Sequence, residues 1–140
     1  MRILLDTNVI LDLFLDRAPF ADDAAALWQA HERGQISAYT AAITPINLFY
    51  IARKLKDEQT ARQAVVELLA VLPICLIDQG VLNSALSISF RDYEDAVQHA
   101  AASSAGLEAI VTRNANDYSA ATLPIFTPKE FIHQYLLSRE

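Results

Sequence analysis

Ile3-Leu4-Leu5-Asp6-Thr7-Asn8-Val9-Ile10-Leu11-Asp12-Leu13-Phe14, near the start of a 140-residue chain, changes period at its middle. Consecutive apolar residues at 3–5 suit a strand buried on both faces. Asp6, Thr7 and Asn8 favour turns and helix caps, and from Val9 the apolar residues recur at helical spacing. A buried strand running straight into a helix opens an α/β unit. The pattern repeats downstream: 36–40, 74–77 and 109–112 read as strands, and Ile125-Phe126 as a brief fifth. Helices are predicted over 21–33, stopped by Gly34, from a Thr44-Pro45 cap through Leu55, and beyond the polar break at 56–58 until Pro73. Another follows Asp78, one runs from Asp92 to Ala105 with Gly106 closing it, and a last one starts at Pro128. The fold class expected is α/β: a three-layer α/β/α sandwich around a central, mainly parallel sheet of four to five strands, as one domain over 1–140.

Composition agrees. Hydrophobic residues make up 53% and charged residues 20%, which argues against disorder. Cys75, the one cysteine, excludes an internal disulfide and every multi-cysteine zinc module, and its apolar surroundings at 72–77 read as a buried, inert thiol. Met1-Arg2 leads into too short an apolar run for a signal peptide, and no stretch is long enough for a membrane span, so a cytoplasmic, membrane-free protein is expected. Eleven Lys and Arg against 17 Asp and Glu give a net charge of −6, which argues against a generic nucleic-acid binder. It leaves room for locally clustered bases, or for carboxylates gathered around a cation.

In open parallel sheets the working site lies beyond the carboxyl ends of the strands, where strand order reverses. Asp6 follows the first strand, and Thr112-Arg113-Asn114-Ala115-Asn116-Asp117 follows the fourth. Asp92, Glu94 and Asp95 open the helix before it. Their convergence would crowd like charges that only a cation relieves. Oxygen donors without His or Cys favour Mg²⁺ or Mn²⁺ over zinc. Singly, each has an ordinary reading: Asp6 or Asp92 as a helix cap, Asp95 as a first-turn acid facing the helix dipole, Asp117 as a loop residue.

Ile3 to Ile10, Phe90-Arg91-Asp92-Tyr93-Glu94-Asp95-Ala96 and Ile110-Val111-Thr112-Arg113-Asn114 with Asp117-Tyr118 resemble, in order and spacing, the PIN domain (PilT N-terminus-like). The resemblance spans essentially the whole chain, through Thr127-Pro128-Lys129-Glu130-Phe131. It implies a Mg²⁺- or Mn²⁺-dependent ribonuclease of the group containing VapC-type toxins, with RNA as substrate, an antitoxin partner and a homodimer. Asp6 then corresponds to the first metal-site carboxylate and Asp95 to the third, while Asp117 and Asn114 fall in the segment supplying the fourth group. Thr112 orients this edge, Asn8 sits behind Asp6, and Asp92 supports as an N-cap. The second carboxylate, a Glu in the family's usual pattern, aligns with Asn47, and 34–56 holds no acid at all. Asn offers a carbonyl oxygen without charge, which predicts weaker metal affinity.

A metal held by Asp6, Asp95 and Asp117 would activate water for in-line attack on a phosphodiester. Arg53, Lys54, Arg91 and Arg113 are the candidate grips for flanking phosphates. Tyr50 reads as a core aromatic, with base stacking the alternative. His31, His99 and His133 read as structural or surface residues, His99 standing one turn from Asp95. Haloacid-dehalogenase, receiver, dinucleotide-binding and P-loop readings fail for want of their acids or glycines. The remaining rival is a catalytically weak or inactive PIN-like module that binds RNA or a protein.

Overall fold

The computed structural model describes residues 1–137. Strand β1 (Arg2–Leu5) leads into helices α1 (Thr7–Phe14) and α2 (Ala21–Glu32), then β2 (Ser37–Ala41), α3 (Ile43–Leu55) and α4 (Glu58–Val71). Strand β3 (Ile74–Cys75), α5 (Gln79–Leu86), α6 (Tyr93–Ser104) and β4 (Ala109–Val111) follow. A 3₁₀ turn (Ala115–Tyr118), β5 (Ile125–Phe126), α7 (Pro128–Phe131) and a wider π-wound turn (Ile132–Leu136) complete the described chain.

All strand pairs are parallel, in the order β3-β2-β1-β4-β5. The chain builds outward from β1 to β3, then returns across the sheet to add β4 and β5 on the other side. Strand order therefore reverses between β1 and β4, where Leu5 stands opposite Val111. Alternation along the central strands divides the interior. Ile3 and Leu5 of β1, with Ala109 and Val111 of β4, face a core built with α1, α2, α3 and α4. Leu4 and Ile110 face the opposite core, with α5 and α6. Successive side chains on a strand point to opposite faces, so three-residue apolar runs serve both layers. Each fully buried Leu or Ile contributes roughly 1.5–3 kcal/mol.

Three elements depart from the sequence expectation. Helix α3 begins at Ile43, with Ala42 at its N-cap, so Thr44 lies inside the first turn. Its hydroxyl is drawn to Thr7 Oγ1 at 2.8 Å, a tertiary partner that competes with capping. Strand β3 stops at Cys75 because it is the sheet edge, and Leu76 turns to solvent at 75% exposure. The terminal helix loosens after Phe131, and Tyr135 packs on Phe126 and Phe131. Among the described residues no helix is long and apolar enough to cross a membrane.

Candidate metal centre

The exits of β1 and β4 lie side by side in mid-sheet, tied by the Asp6 N–H donating to the Val111 carbonyl at 2.9 Å. Asp6 holds the N-cap position of α1 in extended conformation, yet its carboxylate makes no capping bond. Other aspartates at helix starts do cap: Asp57 accepts from the Thr60 N–H, Asp78 from Val81, and Asp92 from Glu94 and Asp95. A capping side chain contributes about 1 kcal/mol, which Asp6 forgoes. Its carboxylate turns into the sheet edge at 4% exposure. Gln98 Nε2 donates to Oδ1 at 2.8 Å and Thr112 Oγ1 donates to Oδ2 at 2.6 Å. Asn8 Nδ2 and the Tyr118 hydroxyl each reach Oδ2 at 3.3 Å. These donors are all neutral, so the carboxylate is solvated without its charge being balanced. Oδ1 accepts only the Gln98 bond among the described residues and keeps a lone pair free.

Asp95 stands in the first turn of α6, on the same edge. The Tyr118 hydroxyl spans the two carboxylates, 3.3 Å from Asp6 and 3.5 Å from Asp95 Oδ1. Burial, then the charges of Asp6, Asp92, Asp117 and Glu94, push the Asp95 carboxyl up to about 7. Burial and the same two carboxylates raise the Tyr118 phenol, which stays protonated as a donor. Asp117 lies exposed on the 3₁₀ turn, near enough to repel Asp95 electrostatically but outside the Asp6 hydrogen-bond network. Asn114, also exposed, donates its N–H to Thr112 Oγ1 at 3.1 Å. Asp92 is the cap its position suggested. Asn47 faces α6, where its Nδ2 donates to Glu94 Oε1 at 2.7 Å.

Gln98 and Tyr118 shape this site and escaped sequence reading as site residues. Gln98 is 1% exposed and grips Asp6 with its amide nitrogen while its oxygen accepts the Thr7 N–H at 3.3 Å. The available signal was a polar residue in the apolar stretch 96–102, one turn from Asp95. Tyr118 was visible only as the neighbour of Asp117.

Two expectations are corrected. Arg113 is no free phosphate grip: its Nε and Nη2 bind the Asp12 carboxylate at 2.6 and 3.2 Å, and its guanidinium lies over Phe20 at 4.1 Å. Asp12 is 1% exposed, and a buried carboxylate requires such a partner. Tyr50 is not a core aromatic but 56% exposed, with Arg53 over its ring at 5.1 Å. Arg53, Lys54 and Arg91 are exposed and make no ion pair among the described residues. His99 is structural, its Nε2 accepting the Thr122 N–H at 3.0 Å, while burial lowers its pKa. His31 likewise accepts the Ala38 N–H at Nδ1 and faces the Val71 carbonyl with Nε2. His133 lies exposed on the last turn.

The donor set suits a hard divalent cation in kind: carboxylate oxygens, no sulfur, no imidazole. No cation of the described chain pairs with Asp6, Asp92, Glu94, Asp95 or Asp117. Its spacing is looser, since among the described residues no three of His, Cys, Asp and Glu stand close enough to share an ion.

A family model for the PIN domain matches residues 2–116, a span that includes both strand exits and the first turn of α6. The chain belongs to the PIN domain family. No curated protein sequence matches it. Solved structures show the same fold. A toxin–antitoxin complex from Klebsiella pneumoniae is 27% identical, with 90% of this chain and 97% of that chain covered at a TM-score of 0.67. DNA-bound VapBC from Salmonella typhimurium is 18% identical, with 91% and 98% covered and a TM-score of 0.71. A sarcin-ricin-loop-cleaving VapC toxin from Mycobacterium tuberculosis is 16% identical, with 77% and 86% covered and a TM-score of 0.64. In this PIN domain the reversal point of the sheet carries an aspartate withdrawn from capping and an aspartate of raised pKa.

Proposed function

We propose that this PIN domain is a metal-dependent endoribonuclease, the toxin of a toxin–antitoxin pair, hydrolysing RNA phosphodiester bonds with Mg²⁺ or Mn²⁺. One observation carries the reading. Asp6 gives up its helix cap to point, buried and without a counter-charge, at the edge where burial and then like charges raise the pKa of Asp95. That arrangement destabilises the chain by itself and is relieved by a divalent cation.

Asp6 and Asp95 would hold the ion, Asp117 joining directly or through water, and the bound ion would supply Lewis acidity and an activated water at neutral pH. Gln98 and Thr112 fix the Asp6 carboxylate from both sides, so its free Oδ1 lone pair keeps one direction. Asn8 couples the two strand exits by donating to both Asp6 and Thr112. Tyr118 keeps Asp6 and Asp95 on a shared donor. Arg53, Lys54 and Arg91 are the remaining cations for flanking phosphates. The toxin–antitoxin complexes among the structural neighbours support an antitoxin partner, and a homodimer belongs to the same reading.

A single-stranded RNA incubated with the protein and Mn²⁺ is expected to be cut, and Asp6→Asn to abolish cutting while RNA binding persists. RNA bound yet intact at every metal concentration refutes the enzyme reading. It would favour the rival, a non-catalytic RNA- or protein-binding module, which the lack of a three-carboxylate group among the described residues supports.

A further inference from the structure

We infer that His99 is a positioning residue: from α6 it pins the segment that follows the 3₁₀ turn, and so holds Tyr118 and Asp117 on the edge where Asp6 and Asp95 meet. This deepens the metal-dependent reading above and rests on it. Backbone bonds around the turn are local, with the Asp117 N–H donating to the Asn114 carbonyl and the Ala121 N–H to the Tyr118 carbonyl, both at 2.9 Å. Among the described residues, two side chains tie 115–123 to the rest of the fold by hydrogen bonds. One is Tyr118 itself, whose hydroxyl reaches Asp6 and Asp95 and lies 3.4 Å from Gln98 Nε2. The other is His99. Its Nε2 accepts the Thr122 N–H at 3.0 Å and the Leu123 N–H at 3.4 Å, and the Thr122 hydroxyl stands 3.3 Å away.

Two main-chain N–H groups aimed at one ring nitrogen fix the state of the imidazole. Nε2 must present a lone pair, so the ring is neutral and its proton sits on Nδ1. Burial lowers the His99 pKa and favours that neutral form. The residue is 1% exposed, and Nδ1 has no hydrogen-bond partner among the described residues. A buried donor left unpaired is destabilising, and an apolar side chain would fill the space without that cost. What the imidazole supplies in return is the acceptor at Nε2. Phe90 completes the link, its ring centroid 5.5 Å from that of His99 and, edge-on, 5.5 Å from that of Tyr118. Three residues of α6 thus serve one edge: Asp95 faces Tyr118, Gln98 grips Asp6, and His99 docks the chain beyond Tyr118. His99 touches neither carboxylate and acts through the turn.

Amide exchange by mass spectrometry on the metal-free full chain, with Mn²⁺ calorimetry in parallel, tests this. His99→Leu removes the acceptor, and His99→Gln returns a side-chain oxygen near the place of Nε2. His99→Leu is expected to speed exchange across 115–123 about tenfold or more while β1 and β4 keep the parent's protection, and to weaken Mn²⁺ binding about tenfold. His99→Gln is expected to bring both back to within about threefold of the parent. Exchange that is unchanged across 115–123, or raised equally throughout the sheet, overturns the anchoring role. Faster exchange there with Mn²⁺ affinity still within about threefold of the parent overturns the link to the centre. Nitrogen NMR of the parent reads the tautomer without any variant, and a proton found on Nε2 overturns the inference. A parent that binds no Mn²⁺, with 115–123 loosened in His99→Leu, refutes the metal reading and leaves the anchor standing.

Discussion

Replacing Asp95 by Asn is expected to make the metal-free protein more stable at alkaline pH and, on the proposed function, to abolish metal binding. The carboxyl rises from an ordinary 3.8 to about 7, with burial the largest cause and the four neighbouring carboxylates next. A group whose folded pKa is raised binds its proton more tightly in the native state. Its stabilising contribution is complete below 3.8 and is lost as pH climbs through about 7. Above that, the native state carries the full penalty of the charge. At face value the shift corresponds to about 4 kcal/mol. Asp95 is only partly buried, so solvent screening reduces this to about 1–2 kcal/mol. The amide keeps an oxygen for the 3.5 Å Tyr118 contact, so little is lost in exchange. For a chain of this size the gain is about 2–8 °C in melting temperature. Thermal melts in chelator, parent against variant, near pH 8 and near pH 4, measure it. The gain belongs to the higher pH and shrinks towards zero at the lower. A variant that melts below the parent near pH 8, or gains equally at both, refutes the reasoning.

Arg113→Ala leaves Asp12 buried with only Arg17, at 3.9 Å, for a partner. Chemical denaturation is expected to show a loss of about 3 kcal/mol, the lower end for a broken buried pair. Asp12→Ala is expected to be milder because the Arg113 side chain, 24% exposed, can turn to water, and equal losses in the two variants contradict this. Cys75 is buried, and burial pushes its thiol up to about 11. A disulfide reagent near neutral pH is expected to leave it unmodified in the native protein and to label it promptly in denaturant. Prompt native labelling would contradict the packing of β3 against α5.

Local chemistry made much of this molecule legible before any coordinates. The apolar runs at 3–5 and 109–111 are short enough to be strands and uninterrupted enough to be buried on both faces, which requires helices above and below. Asp78 and Asp92 announce helix starts because their side chains satisfy N–H groups two or three residues on, whereas the Asp57 and Thr127 caps emerged only in the structure. Gly106 closes α6 at a φ of 72°, which costs a glycine little. The same local logic misjudged Thr44, whose hydroxyl found a partner on another helix, and Tyr50, an aromatic read as core whose ring lies exposed beneath Arg53.

By itself the sequence determined the succession of strands and helices, the parallel sheet, and which acids stand at its carboxyl edge, since each depends on periodicity or on neighbours a few residues away. Tertiary structure alone decided what those acids do. Asp6 and Asp92 are the same residue type at the same helix position, and only one caps. The difference lies in donors 92 and 106 residues distant, Gln98 and Thr112, which draw Asp6 off its helix. Arg113 belongs to Asp12 because burial leaves that carboxylate no water, and Glu94 meets Asn47 because two helices far apart in the chain cross the same edge. Such pairings depend on distance in space, which periodicity along the chain does not encode.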